Sequence, residues 1–333
     1  MKPSQIVATL PSLIQTNHSL FIWGPPGVGK SDIVRNLTNA LGIGCVDLRL
    51  SLFDPTDLKG YPVVVGTGSK QTMQFVPPGL LPTKGKGILF LDELPGAPPS
   101  VQTAAYQLVL DRKLGTYTLP DGWHIIAAGN RAADGGVHYT MPPALANRFI
   151  HFTMEADQGD WDKWAAANHV DATLRAFLRF RPALIHDMGA RKAGVAFPTP
   201  RSWVMAANVL TQSHTPLVEL ELLTGVVGEG AATELLAFVK NARGLPSIHE
   251  ILINPTNAPV PAEPGAKHAV TTLLESNASK TNFKQCLEYV IRLEPEYQVA
   301  FIHGITTNQH DLTATAEYVN WCVENQNLLG IGE

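Results

Sequence analysis

One eight-residue stretch combines glycines, a lysine and a hydroxyl in the order that phosphate binding requires. Residues 24–31 read GPPGVGKS and match the pattern GxxxxGK[ST], between the apolar run SLFIW and a helical pattern. Glycine-rich backbone can turn its N–H groups towards phosphate oxygens, and the helix N-terminus adds partial positive charge. Lys30 is placed to reach the β- and γ-phosphates, and Ser31 to ligate Mg²⁺. The predicted phosphate-binding residues are Gly24, Pro25, Pro26, Gly27, Val28, Gly29, Lys30 and Ser31.

Two adjacent acids end another apolar run, ILFLDE at residues 88–93. Asp92 is placed to hold a magnesium ion together with Ser31, and Glu93 to polarise the attacking water. Two acids at the end of a buried strand are costly unless they serve a purpose, although an ordinary exposed strand end is the alternative. With the loop upstream, the pair predicts hydrolysis of a bound nucleotide.

Three further polar residues follow at positions that suit the same chemistry. Asn130 ends the run HIIAAGN and can orient the attacking water or contact the γ-phosphate. Arg148, in MPPALANRF, can reach nucleotide bound by an adjacent subunit, because an arginine donates to phosphate oxygens in a planar fork. Arg201, in PTPRSW, can fold over the γ-phosphate of its own chain. The alternatives are an Asn in a turn for Asn130 and a surface ion pair for Arg148.

The elements that must position these residues predict an α/β fold. Short apolar runs alternate with helical patterns through the first half, which is typical of a parallel sheet flanked by helices. Five strands are predicted, at residues 19–23, 45–50, 87–93, 123–130 and 149–154. The first, third and fourth are apolar almost throughout, so we expect them to lie centrally.

Strand patterns fade after this sheet and helical patterns replace them. We predict an α/β nucleotide-binding domain at 1–156, a helical lid domain at 157–245, and a Pro-rich linker with a helical C-terminal region at 246–333. The lid contains a basic stretch with Arg175, Arg179, Arg181, Arg191 and Lys192, which we interpret as a solvated face, with an acidic partner as the alternative.

Composition limits the classes of function. The chain has 333 residues, 45% of them hydrophobic, and a net charge of −4, so no global basic field favours nonspecific nucleic-acid binding. Cys45, Cys286 and Cys322 form no disulfide or zinc pattern, which fits a reducing cytoplasm. No apolar run is long enough to span a membrane, and the first residues lack the pattern of a signal peptide.

The order GPPGVGKS, ILFLDE, AAGN, ALANRF and TPRSW resembles the AAA+ ATPases, and most of all their MoxR-like branch. The resemblance covers roughly residues 1–245. It implies a P-loop NTPase fold with a five-stranded parallel sheet, an all-α lid and a helical extension. It also implies two inserted hairpins, near 54–81 and 112–123. The motifs correspond to Walker A at Lys30 and Ser31, Walker B at Asp92 and Glu93, sensor 1 at Asn130, an arginine finger at Arg148 and sensor 2 at Arg201.

The resemblance further implies ATP and Mg²⁺ as cofactors, a homohexameric ring, and a protein client or an adaptor with a von Willebrand factor A domain. Arg131 competes with Arg148 as the finger, and Arg148 is preferred for its ALANRF context. No guanine-reading motif is present, which favours ATP over GTP. A nucleic-acid translocating motor stays open, since Lys70 or Arg112 at the hairpins could line a channel. A nucleotide-regulated scaffold with little turnover is the other alternative.

Overall fold

A computed structural model describes residues 1–16, 18–136, 138–190, 194–242 and 244–329 of the chain. These residues divide into two compact units, Met1–Ala156 and Asp157–Glu333. None of the described helices combines the length and the apolar character that a membrane crossing requires.

All of the strands that the structure describes lie in the first unit. They are β1 Ser19–Trp23, β2 Gly44–Arg49, β3 Tyr61–Val65, β4 Thr72–Val76, β5 Gly87–Asp92, β6 Lys113–Leu114, β7 Tyr117–Thr118, β8 Trp123–Gly129 and β9 Phe149–Thr153. Its helices are α1 Pro3–Ile14, α2 Lys30–Leu41, α3 Pro55–Lys59, α4 Pro99–Asp111 and α5 Pro143–Ala146.

Five of these strands form one sheet in the order β2-β5-β8-β1-β9, and every pairing in it is parallel. β5 is buried along its whole length, and β1 and β8 are buried nearly throughout, because helices cover both faces. The predicted five-stranded parallel fold and the central position of these three strands are therefore confirmed.

Side chains along the strands alternate between two hydrophobic cores. Phe21, Leu89 and Leu91 pack on the face that α4 covers, beside Leu108. Leu20, Ile22 and Phe90 point to the opposite face, where α1 and α2 supply Ile6, Leu10 and Val34. Helices on both faces leave the carboxyl-terminal edge of the sheet for the loops that follow the strands.

Two antiparallel hairpins interrupt the α/β pattern, and both fall within the ranges that the resemblance implied. One pairs β3 with β4, and the other pairs β6 with β7 around Gly115. The Asp121–Gly122 turn lies outside the second hairpin and leads into β8.

The second unit is helical in its described residues. Its helices are α6 Gln158–Ala167, α7 Ala172–Phe180, α8 Pro200–Leu210, α9 Pro216–Val227, α10 Glu229–Ala242, α11 Ile248–Ile253, α12 Pro264–Asn277, α13 Phe283–Val290, α14 Pro295–Asn308, α15 Ala316–Glu324 and α16 Gln326–Leu329. Helix α12, from the predicted C-terminal region, packs on α7 from the predicted lid. The three-part division of the chain stays a prediction.

An ionic cluster of three buried residues, Asp162, Arg175 and Glu275, and the partly buried Arg179 joins these helices. Arg175 donates from Nε to Asp162 Oδ1 at 2.9 Å and from Nη2 to Glu275 Oε1 at 3.2 Å. Arg179 donates to the same two carboxylates.

The prediction that Arg175 and Arg179 form a solvated face is therefore wrong. Acids from α6 and α12, distant in the sequence, meet them inside the unit and offset the cost of burying their charge. Arg181 pairs with Glu234 and is about half exposed, while Arg191 and Lys192 lie outside the described residues.

Candidate nucleotide-binding site

The glycine-rich loop lies where β1 ends and α2 begins. Its first residue has no room for a side chain, because a Cβ on Gly24 would lie 2.8 Å from the Met154 carbonyl oxygen. Gly27 and Gly29 have φ angles of 78° and 97°, in the left-handed region that glycine adopts without strain. Ile33 N–H donates to Gly29 O at 3.0 Å and begins the helix. The glycines thus set the loop shape that a phosphate cradle requires.

The ammonium group of Lys30 contacts the loop itself and the end of β8. Its Nζ donates to Gly24 O at 2.7 Å, to Pro25 O at 3.0 Å and to Asn130 Oδ1 at 2.8 Å. Asn130 follows β8, the sheet neighbour of β1, so parallel pairing brings the two residues to one edge. These three acceptors are neutral, so an anionic phosphate can replace them with a stronger, charge-assisted partner.

Ser31 and Asp92 meet at the same edge. Ser31 Oγ donates to Asp92 Oδ2 at 2.8 Å, and Glu93 N–H donates to Asp92 Oδ1 at 2.9 Å. Burial raises the pKa of Asp92, although the hydrogen bond from Ser31 opposes the rise. An ionised carboxylate held in a site that disfavours its charge is suited to a cation.

The donor set fits a magnesium–nucleotide complex. A hydroxyl and a carboxylate are the hard oxygen ligands that Mg²⁺ prefers, and Mg²⁺ is commonly bound by one or two protein groups with substrate phosphates. Within the described ranges, no group of three or more His, Cys, Asp or Glu side chains is arranged to hold a metal by itself. Ser31 and Asp92 would therefore hold the ion jointly with phosphate oxygens.

Glu93 is held beside this pair in an unusual backbone conformation. Its φ of 56° places a non-glycine residue in the left-handed region, which costs free energy and is common at functional sites. Ser51 Oγ donates to Glu93 Oε2, and Arg49 Nε lies 3.6 Å from Glu93 Oε1. The Glu93 side chain is 48% exposed, so a water molecule can reach its carboxylate.

Sequence reasoning missed Arg49 and Ser51. They end β2 and follow it, and β2 pairs with β5 so that Arg49 lies opposite Asp92. The sequence did contain a signal, a polar pair at the end of a predicted strand. Connecting this pair with Glu93 required the order of the strands in the sheet, which the sequence did not provide.

The two arginines that compete for the finger role differ in their contacts. Arg131 donates from its backbone N–H and from Nε to Asp134 Oδ2, at 2.9 Å and 3.1 Å. Burial would raise the pKa of Asp134, but hydrogen bonds from Arg131 and the charge of Lys30 lower it. Arg148 is exposed between α5 and β9, and its guanidinium makes no hydrogen bond or ion pair within the described part of the chain. Arg131 is engaged within its own chain, whereas Arg148 is available to another.

A histidine links the start of the loop to the segment before Arg148. Trp23 Nε1–H donates to His151 Nδ1 at 2.8 Å, so the ring proton lies on Nε2, which donates to Ala146 O at 2.8 Å. Trp23 directly precedes Gly24, and Ala146 ends α5. Sequence reasoning missed this connection, because Trp23 and His151 are 128 positions apart in the sequence.

Arg201 belongs to the second unit. It lies in the first turn of α8, behind the Thr199 cap, which accepts the Ser202 N–H at 3.0 Å. Its side chain is exposed.

Comparison with known proteins identifies a family that the first unit is similar to. Residues 20–154 match the model of the family described as "ATPase family associated with various cellular activities (AAA)". At the family level the match supports an ATPase of the AAA+ superfamily. No curated protein matches the chain.

Solved structures of low identity match the chain more broadly. NtrX from Brucella abortus in complex with ATP shares 16% identity over 99% of this chain and 68% of its own, with a TM-score of 0.40. A RuvB mutant from Thermotoga maritima shares 14% identity over 76% of each chain, with a TM-score of 0.38. At these TM-scores the similarities add nothing to the argument on function.

Proposed function

We propose that the protein is a Mg²⁺-dependent, MoxR-like AAA+ ATPase that assembles into a ring and remodels or matures a partner protein complex. Measuring its turnover of ATP is the most direct test. One observation carries the proposal. Lys30 with Asn130 and Ser31 with Asp92 form two hydrogen-bonded pairs at one sheet edge, within the segment that matches the AAA family model. Lys30 donates to three neutral oxygens and the pKa of the buried Asp92 is raised, so a metal-bound triphosphate would stabilise both charged side chains.

Each residue of the edge has a part in this reaction. Loop N–H groups and Lys30 are positioned to bind the β- and γ-phosphates. Ser31 and Asp92 would hold Mg²⁺, which would supply positive charge next to the phosphates. Glu93 accepts a proton from the attacking water, and Asn130 orients that water or the γ-phosphate. ATP is the proposed nucleotide, and direct comparison of ATP with GTP turnover tests that choice.

The site is completed by arginines from outside this edge. We assign Arg148 to the nucleotide of a neighbouring subunit, because it is exposed and makes no side-chain polar contact with the residues described here, while Arg131 is paired with Asp134. Arg201 of the second unit is assigned to the γ-phosphate of its own chain. A site finished by a second copy requires a closed ring, for which we propose a hexamer in the cytoplasm.

A mixing experiment tests the shared site. Arg148→Ala subunits lack the finger, and Glu93→Gln subunits lack the base, so each protein alone should hydrolyse ATP at least about a hundredfold more slowly than wild type. In mixed rings, some sites combine the intact Glu93 of an Arg148→Ala subunit with the intact Arg148 of a Glu93→Gln neighbour. Turnover should therefore return, with a maximum when the two variants are mixed in nearly equal amounts.

The matched control is Arg131→Ala, which should retain turnover by itself. Mixed rings verified by native mass spectrometry that show no recovered turnover at any ratio would contradict the shared site. The partner is approached separately, by capture with Glu93→Gln in ATP, and an adaptor with a von Willebrand factor A domain is the expected class.

A further inference from the structure

The β3–β4 hairpin, here called the apolar ribbon and comprising residues 61–76, exposes far more apolar surface than its size explains. Every residue of β4 and four of the five in β3 are exposed. Tyr61, Val64 and Met73 are 61%, 64% and 64% exposed. Contiguous exposed apolar surface of this kind marks interaction sites, since a protein that kept it uncovered would tend to aggregate.

The strand register separates the ribbon into two faces. Paired residues share a face and successive pairs alternate. One face contains only apolar side chains, from the pairs Pro62–Phe75 and Val64–Met73. The other face also includes Gln74 and Thr72. The first face is therefore the continuous apolar surface of the ribbon.

The ribbon is tied in place by specific contacts. A Cβ on Gly60 would lie 1.9 Å from Val76 O, so the ribbon closes tightly only because residue 60 is glycine. The Thr116 hydroxyl, in the second hairpin, donates to Phe75 O at 3.1 Å. A surface held in this way loses little conformational entropy when a partner binds.

The charged residues along the sequence of the ribbon and its flanks, from 58 to 91, are all of one sign. Between Asp57 and Asp92 the sequence contains no acid and four lysines, although the whole chain has a net charge of −4. These lysines are Lys59, Lys70, Lys84 and Lys86. All four are exposed, and none forms an ion pair with a residue that the structure describes. The ribbon thus belongs to a segment whose charged side chains, between residues 58 and 91, are all cationic and have no ion-pair partner among the described residues.

We propose that the apolar ribbon binds a segment of a partner polypeptide that carries both acidic and large apolar side chains. The apolar side chains pack on the Pro62, Val64, Met73 and Phe75 face, and the acids pair with the lysines. The inference rests on the proposed function, because it names the chemical class of the partner on which the ATPase acts.

Two other modes of binding fit the ribbon less well. Pro62 has no N–H to offer, which weakens the outer edge of β3 as a template for an added strand or for a second ribbon. Single-stranded nucleic acid is held by aromatic stacking, and the apolar face offers one aromatic side chain, Phe75, with no arginine between residues 58 and 91.

Fluorescence anisotropy of the full chain tests the inference. The probe is a short labelled peptide in which Asp and Glu alternate with Leu and Phe, and its matched control replaces each acid with Lys. We expect saturable binding of the acidic peptide alone, weakened by added NaCl. The double variant Val64→Ser/Met73→Ser and the single variant Lys70→Glu should each weaken it by about tenfold or more.

Two variants in the second unit serve as matched controls and should bind the acidic peptide as wild type does. Leu217→Ser removes an apolar side chain that is 75% exposed, and Lys163→Glu reverses an exposed lysine. Circular dichroism establishes that all the variants are folded. Binding is measured without hydrolysis, and ATP turnover is measured on the same samples. Peptide binding that fails while turnover persists therefore overturns the inference alone, and absent turnover overturns the proposed function alone.

Four results would overturn the inference. The first is no saturable binding of the acidic peptide, which is decisive in itself. The second is binding of the peptide by the ribbon variants as tightly as by the controls. The third is binding of an oligo-dT strand or phosphatidylserine vesicles that the ribbon variants lose. The fourth is self-association in sedimentation that only the ribbon variants abolish, which makes a second copy the occupant.

Discussion

Two groups of charged residues in this protein differ in the kind of partner that their side chains contact. In the ionic cluster of the second unit, Arg175 is buried and Arg179 is partly buried, and each contacts both Asp162 and Glu275. Burial lowers the pKa of Arg179, but the two carboxylates raise it overall. At the nucleotide edge of the first unit, Lys30 contacts neutral oxygens, and burial raises the pKa of Asp92.

The difference separates charges that stabilise the fold from charges reserved for a substrate. The cluster satisfies each charge with one of opposite sign, so nothing is left for a ligand. At the nucleotide edge, Lys30 donates to three neutral oxygens and Asp92 accepts from a hydroxyl and a backbone N–H, and a metal-bound triphosphate would add charged partners for both. Four substitutions can break or sharpen this contrast.

The largest effect is expected at Glu93. Glu93→Gln removes the proton acceptor but keeps the shape of the side chain, so ATP turnover should fall by at least about a hundredfold while nucleotide affinity is retained. Coupled phosphate-release and nucleotide-binding assays measure the two quantities. Thermal unfolding should stay near that of wild type, and equal loss of binding and turnover would show that Glu93 acts in binding instead.

Removal of one acid from the ionic cluster should act on stability alone. Glu275→Ala leaves the buried Arg175 and the partly buried Arg179 short of a partner, and we expect a loss of about 3–5 kcal/mol in the free energy of unfolding, measured by urea denaturation. Glu234→Ala breaks the half-exposed pair with Arg181 and should leave the urea midpoint close to wild type. Similar midpoints for the two variants would remove the contrast between the regions.

Asp92→Asn should change the free energy of unfolding in the opposite direction to Glu275→Ala. A raised native pKa means that the ionised form of Asp92 destabilises the nucleotide-free fold, and this cost appears as the pH rises through that pKa. Removing the charge should therefore keep or raise stability at neutral pH, by up to about 1 kcal/mol. Mg²⁺-dependent nucleotide binding should be strongly weakened.

The same shift predicts the pH dependence of wild type. On acidification, Mg²⁺-dependent nucleotide binding should begin to fall at a higher pH than an ordinary aspartate with a pKa of about 3.9 would give. Titrations of binding against pH measure this, with Asp92→Asn as the control in which the dependence is absent. A destabilised Asp92→Asn protein would contradict both statements.

The smallest effect is expected at Arg131. Its side chain is 46% exposed and pairs with Asp134, so Arg131→Ala should cost less than about 1 kcal/mol and change turnover by no more than about threefold. Steady-state kinetics beside Arg148→Ala measure the difference. If Arg131→Ala were the more damaging variant, the two arginines would have to exchange roles.

The sheet was predictable because its determinants are local. Three strands are apolar on both faces, and the predicted bounds of all five agree with the observed ones to within one residue. The loop was predictable for the same reason, since GPPGVGKS contains its own turn geometry. The structure then places Lys30 against Asn130 and Ser31 against Asp92.

The interactions that were missed all join distant segments. Arg49 and Ser51 reach Glu93 only because β2 lies beside β5, and Arg175 finds Glu275 a hundred positions away. Hydrophobic periodicity specifies which side of a helix is buried. For a charged residue on that side, however, the neighbouring sequence does not indicate whether the fold supplies an oppositely charged partner. The basic stretch of α7 was misread for that reason.

The sequence by itself determined the order of strands and helices, the loop that can enclose a phosphate, and the identity of the acids that follow it, because backbone preference and hydrophobic period act over a few residues. Only the tertiary structure decided which charges receive a countercharge. Gly304 illustrates the reason: a Cβ there would lie 2.1 Å from Glu275 Oε2, so the burial of that carboxylate depends on a glycine in another helix. Such complementarity is a property of packed surfaces, and it exists only once the chain has folded.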